Sequence, residues 1–84
     1  MNIYVEKFKI EVTEQELYDL MFALRDKLLS TADHCKRHDG IGTLEKNYSS
    51  ELGMLKQMSV RLDREFVYSD MLAKFKKLCE PEQP

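Results

Sequence analysis

Two apolar stripes, over residues 17–35 and 44–66, match layer for layer when the chain is folded back at Gly40, and that match leaves few folds open. Turning each residue about 100° around a helix axis puts Leu17, Leu20, Met21, Leu24, Leu28, Thr31 and Cys35 on one face of the first segment. Leu44, Tyr48, Glu51, Leu52, Leu55, Met58, Leu62 and Phe66 share one face of the second. An antiparallel return brings Cys35 toward Tyr48, Leu28 toward Leu55, Leu24 toward Met58, Met21 toward Leu62 and Leu17 toward Phe66. The local signals agree. Thr13 followed by Glu16 is a capping box, in which hydroxyl and carboxylate each satisfy an orphan backbone N–H. Lys36, Arg37 and His38 set positive charge at the far end of the dipole, Gly40 supplies a left-handed stop, and Thr43 caps the return stroke. The fold class is therefore mainly α, an antiparallel helical hairpin with helices over residues 13–39 and 43–66.

Residues 1–12 read as a short N-terminal β-strand, because Phe8, Ile10 and Val12 alternate with Lys7, Lys9 and Glu11. A lone strand must place its ladder hydrogen bonds somewhere. The choices are the β-prone run Phe66, Val67, Tyr68, a second copy of the same strand, or the edge of another protein. Phe8, Ile10 and Val12 are thus the candidate dimerisation residues. After Phe66 the apolar positions change phase, since Met71, Leu72, Phe75, Leu78 and Cys79 fall on the opposite side of a continued helix. A break over residues 67–70 is the simpler explanation, with Ser69 capping a short third helix over 69–80 and a polar tail over 81–84; the alternative is one long helix with two faces, the second recruited by a partner. The 84 residues make one domain, whose small size leaves room for a partner to complete the core.

At 43% apolar and 33% charged residues the chain has the composition of an ordinary globular protein, and a net charge of −2 gives no general attraction for nucleic acid. There is no apolar run of bilayer length and no basic segment leading into an apolar one at the start, so neither a membrane span nor a signal peptide is expected. The expected location is the cytoplasm, and Cys35 and Cys79 read as reduced core thiols.

Chemistry-bearing constellations are sparse. His34 and His38 have the spacing that puts two imidazoles on one metal, but no further convincing ligand accompanies them, so no metal is expected. Glu51 interrupts an apolar stripe within reach of Lys27 or His34 and reads as a paired or snorkelling carboxylate. Nucleophile elbow and phosphate loop are both missing from the sequence, so the chain is not expected to be an enzyme, to hold a cofactor or to bind a small-molecule substrate. Lys36 with Arg37, and Lys74 with Lys76 and Lys77, read as solvated faces. Ser49 and Gly53 leave a small-residue groove on the outer side of the second helix. Tyr18, Phe22 and Leu29 lie a quarter-turn from the main stripe of the first helix, where either the N-terminal strand or the third helix packs or, with Arg25 on the rim, they form the candidate partner-binding surface.

A β segment, then Thr13, Glu14, Gln15, Glu16 and Leu17 opening a long amphipathic helix, then a helical return, resembles the build of many small proteins encoded by bacteriophages and prophages. The resemblance is one of style and carries over no functional residues. It implies a non-enzymatic protein that binds a host or defence protein as inhibitor or regulator, in the host cytoplasm. Two alternatives stand beside that reading: a structural, self-assembling homodimer, and a regulator dependent on metal through His34 and His38 or on nucleic acid through the lysine clusters.

Overall fold

The computed structural model describes residues 2–5 and 8–80, with residues 3–5 and 8 described by backbone alone. The chain is mainly helical behind a short N-terminal β segment. That segment is two strands rather than one: β1 (Asn2–Val5) and β2 (Phe8–Glu11) pair antiparallel, with Asn2 opposite Glu11, Ile3 opposite Ile10, Tyr4 opposite Lys9 and Val5 opposite Phe8. The ladder that a single strand would lack is made locally, by the β-prone run folding on itself. Pairing with residues 66–68 is overturned, since these are helical.

Helix α1 (Glu14–Ser30) starts as its sequence signals require. Glu16 N–H donates to Thr13 Oγ1 at 3.1 Å, and Thr13 N–H donates to Glu16 Oε1 at 2.9 Å. The helix stops nine residues short of the expected residue 39. Ser30 Oγ donates to the Lys27 carbonyl at 2.6 Å and Thr31 Oγ1 to the Leu28 carbonyl at 2.7 Å, and such back-bonding by hydroxyl side chains bends or interrupts a helix. A short α2 (Ala32–Lys36) follows. Gly40 then turns the chain at φ 53° and ψ −121°, a backbone that only glycine adopts without strain. Its N–H reaches back to the Cys35 carbonyl at 2.7 Å.

The return stroke is also divided. Gly40, not Thr43, precedes the first turn of α3 (Ile41–Asn47), and Thr43 Oγ1 instead accepts the Asp39 N–H at 3.0 Å. Tyr48, at φ −125° and ψ 28°, separates α3 from α4 (Ser49–Arg61). The expected end at residue 66 lies too late. Arg64 N–H donates to the Ser59 carbonyl at 2.7 Å and Asp63 N–H to the Val60 carbonyl at 3.1 Å, with Asp63 at φ 56°. This is a Schellman close, with Asp63 at the left-handed position usually held by glycine. Helix α5 (Glu65–Cys79) therefore begins before the expected break at 67–70, runs 15 residues, and holds Ser69 inside rather than at its cap.

Helices α1, α4 and α5 pack pairwise around one core, α2 packs on α5, and α3 bridges α2, α4 and α5. Leu17, Met21, Leu28, Cys35, Leu44, Leu55 and Phe75 are fully buried, joined by Leu52, Met58, Leu62, Val67 and Met71. The new start of α5 changes its facing. Val67, Met71 and Phe75 point inward, while Phe66, expected opposite Leu17, is 59% exposed. One member of the first stripe also sits off the core, Leu20 at 41% exposure, and Leu24 packs against the core only in part. The β ribbon makes its contacts chiefly within itself, and the radius of gyration of 13.7 Å exceeds the roughly 12 Å of a compact chain of this length. None of the described helices is long and apolar enough to cross a membrane.

Candidate protein-binding surface

Helix α1 has more apolar circumference than one neighbour can cover, so α5 takes one flank and α4 the other. On the α5 flank, Tyr18 and Leu29 are half-buried against the core. Phe22 stays outside at 39% exposure. The Arg25 guanidinium lies 4.9 Å from the Phe22 ring centroid. Asp26 fixes it there, accepting from Arg25 Nε at 3.0 Å and from its terminal amine at 2.8 Å. Arg64, from the corner between α4 and α5, stands 5.9 Å from the Tyr18 ring. The four residues singled out from sequence thus lie along one flank, but they divide by role. Tyr18 and Leu29 support the body, and Phe22 with Arg25 faces solvent.

Beside them Arg25, Asp26 and Leu29 meet Asp70, Met71 and Lys74 across a cleft of about 170 Å³ between α1 and α5. That register sets residues 25–29 level with residues 70–74, so the same offset puts Val67 level with Phe22 and the exposed Phe66 one residue before it. The sequence pattern places Phe66 on the core stripe at the end of the second helix, and this hides its exposure. The phase change after it was the available signal, and only the position of the corner was missing.

The remaining expected sites are dispersed. Of the dimerisation residues, Ile10 is 42% exposed, Val12 packs partly against the core, and the Phe8 side chain lies outside the described residues. His34 and His38 are both exposed, their ring centroids 4.7 Å apart, at the mouth of a polar cleft of about 320 Å³ that Asp39, Thr43 and Lys46 also line. Among the described residues no group of three or more His, Cys, Asp or Glu is arranged to hold a metal ion. Glu51 is half-buried and, among the described residues, pairs with neither Lys27 nor His34. A Cβ on Gly53 would meet nothing within 4 Å, so among the described residues no helix packs closely on Gly53.

Both cysteines are free. Burial, reinforced by nearby Cys35, pushes the Cys79 thiol up, and its Sγ lies 3.7 Å from the Ala32 carbonyl as donor. Such a thiol is held protonated and is a poor nucleophile. The Glu16 carboxyl moves the other way, held below the ordinary carboxylate value by the Thr13 backbone N–H and then by the Thr13 side chain.

No family model matches the chain, and neither a curated protein nor a solved structure matches it.

Proposed function

We propose that this chain is a non-enzymatic protein-binding module whose contact surface is the α1/α5 side, centred on Phe22 and Arg25 with the exposed Phe66 near their level on α5. The observation that carries the reading is Phe22, an aromatic ring left 39% exposed in a small domain while Arg25 is clamped over it by Asp26. Aromatic side chains and Arg dominate interface energetics. A guanidinium already fixed in position also loses less rotamer freedom on binding. Asp70 and Lys74 supply a polar rim of both signs across the cleft from Arg25. The resemblance in build to phage-encoded proteins extends the reading to an inhibitor or regulator of a host or defence protein.

The test is affinity capture from bacterial lysate on the immobilised chain, followed by titration of the captured protein against wild type, Phe22→Ala and Phe66→Ala. Phe22→Ala is expected to weaken binding by more than about 1 kcal/mol with an unchanged circular-dichroism spectrum. A captured protein that binds the folded variants as tightly as wild type overturns the assignment, as does unfolding of Phe22→Ala, which would return the ring to the core.

A further inference from the structure

The other flank of α1 has a different chemistry. There α1 and α4 border an apolar groove of about 230 Å³ lined by Leu20, Ala23, Leu24, Lys27, Met54 and Met58. Leu20, Ala23 and Lys27 of the α1 wall lie on one helical stripe that continues a turn back, beyond the groove, to Glu16, so that Glu16, Leu20, Ala23 and Lys27 are spaced four, three and four apart. All four are exposed. Neither charged end has an opposite charge three or four positions away on α1, and the ion pair found among the described residues, Arg25 with Asp26, involves neither.

Read backwards, the stripe is its own complement. We infer that this groove is a homodimer interface, in which α1 of a second copy lies antiparallel along the first, Glu16 meeting Lys27 of the other copy and Leu20 meeting its Ala23. The two-fold axis then passes between Leu20 and Ala23, so both contacts occur twice, as an isologous interface requires. Size complements charge: the Leu20 side chain fills the space that the Ala23 methyl leaves, a large residue against a small one. Met54 and Met58 on α4 offer flexible thioethers that adapt to the incoming helix. The like charges stay apart. Glu16 and Lys27 are eleven residues apart on one helix, about 16 Å at 1.5 Å per residue, so the two Glu16 side chains stand beyond the screening length of about 8 Å. Glu16 Oε1 is occupied by the Thr13 N–H, and Oε2 is left for the ammonium. Phe22, on the opposite flank, stays free, so this inference does not depend on the proposed partner surface.

A charge swap tests it. By light scattering and sedimentation over a concentration series, wild type is expected to dimerise. Lys27→Glu and Glu16→Lys, each placing like charges face to face, are expected to weaken self-association at least about tenfold. An equimolar mixture of the two variants is expected to restore a heterodimer, because both cross-pairs become opposite again. Ala23→Glu, at an exposed position and with a good helix former, is expected to weaken the dimer similarly. It decides the matter together with Lys27→Glu if circular dichroism shows Glu16→Lys unfolded. A wild type that stays monomeric at sub-millimolar concentration overturns the inference. So does a folded charge-swap pair that fails to reassociate, or a dimer indifferent to Ala23→Glu and Lys27→Glu. A dimer lost instead on Ile10→Pro would move self-association to the β ribbon and equally overturn it.

Discussion

Two residues sit in backbone settings that other residues suit better, and each gives a prediction of unusual sign. Asp63 closes α4 at φ 56°, where glycine carries no Cβ penalty. Asp63→Gly is expected to raise stability by up to about 1 kcal/mol, seen as a higher urea midpoint with an unchanged slope. Gly53 stands exposed in the second turn of α4 with open space around its missing Cβ. Gly53→Ala is expected to add about 0.5–1 kcal/mol, and a loss of stability in urea titration would mean that something packs closely there after all. Position 63 could not be anticipated from composition, because aspartate is only an occasional visitor to the left-handed region. Gly40 could. At φ 53° it occupies the stop that its place after Lys36, Arg37 and His38 called for.

At the level of elements, the capping box makes the start of α1 sensitive to acid. Thr13→Ala removes the hydroxyl that accepts the Glu16 N–H and is expected to cost about 1 kcal/mol, measured by thermal or urea unfolding. Since the Glu16 carboxyl is held below its ordinary value, its contribution is complete above the unfolded-state pKa and is lost as pH falls through the lower folded-state value. The gap between wild type and Glu16→Ala should therefore narrow on acidification below the ordinary carboxylate range, whereas Thr13→Ala keeps the backbone N–H that does most of the lowering. Stripes and caps were legible because they are periodic or local: Leu17, Met21 and Leu28 repeat on one face, and Thr13 with Glu16 needs no tertiary knowledge. The interruptions were not. Thr31 and Tyr48 break helices whose i to i−4 bonds resume at once, with Cys35 N–H on Thr31 and Leu52 N–H on Tyr48, both at 2.9 Å. An unbroken apolar pattern therefore runs across a broken helix. Likewise, the alternation of Phe8, Ile10 and Val12 records a strand but not that its partner is the run just before it.

For the whole molecule, the core ranks the hairpin residues differently from the stripe. Leu55 is fully buried where Leu24 is half-exposed beside the groove. Leu55→Ala is expected to cost about 2–5 kcal/mol through lost transfer energy and a residual cavity. Leu24→Ala should cost clearly less in the same urea titration, and equal losses would show that the groove is closed in solution. The candidate surface was legible in part for the same reason. Phe22 and Arg25 follow from the excess apolar width of α1, whereas Phe66 depends on a corner that only the fold locates. That corner also bears on the order of events in folding. Three residues, 62–64, separate α4 from α5, whereas 18 residues, 31–48, lie between α1 and α4. Closing the short connection sacrifices less chain entropy, so a transition state with α4 and α5 docked and α1 still loose is favoured on topology. Stopped-flow chevrons should then give Val67→Ala a high φ-value and a slower folding arm. Leu17→Ala should act mainly on the unfolding arm, making the helix that carries both candidate surfaces the last of the three to be secured.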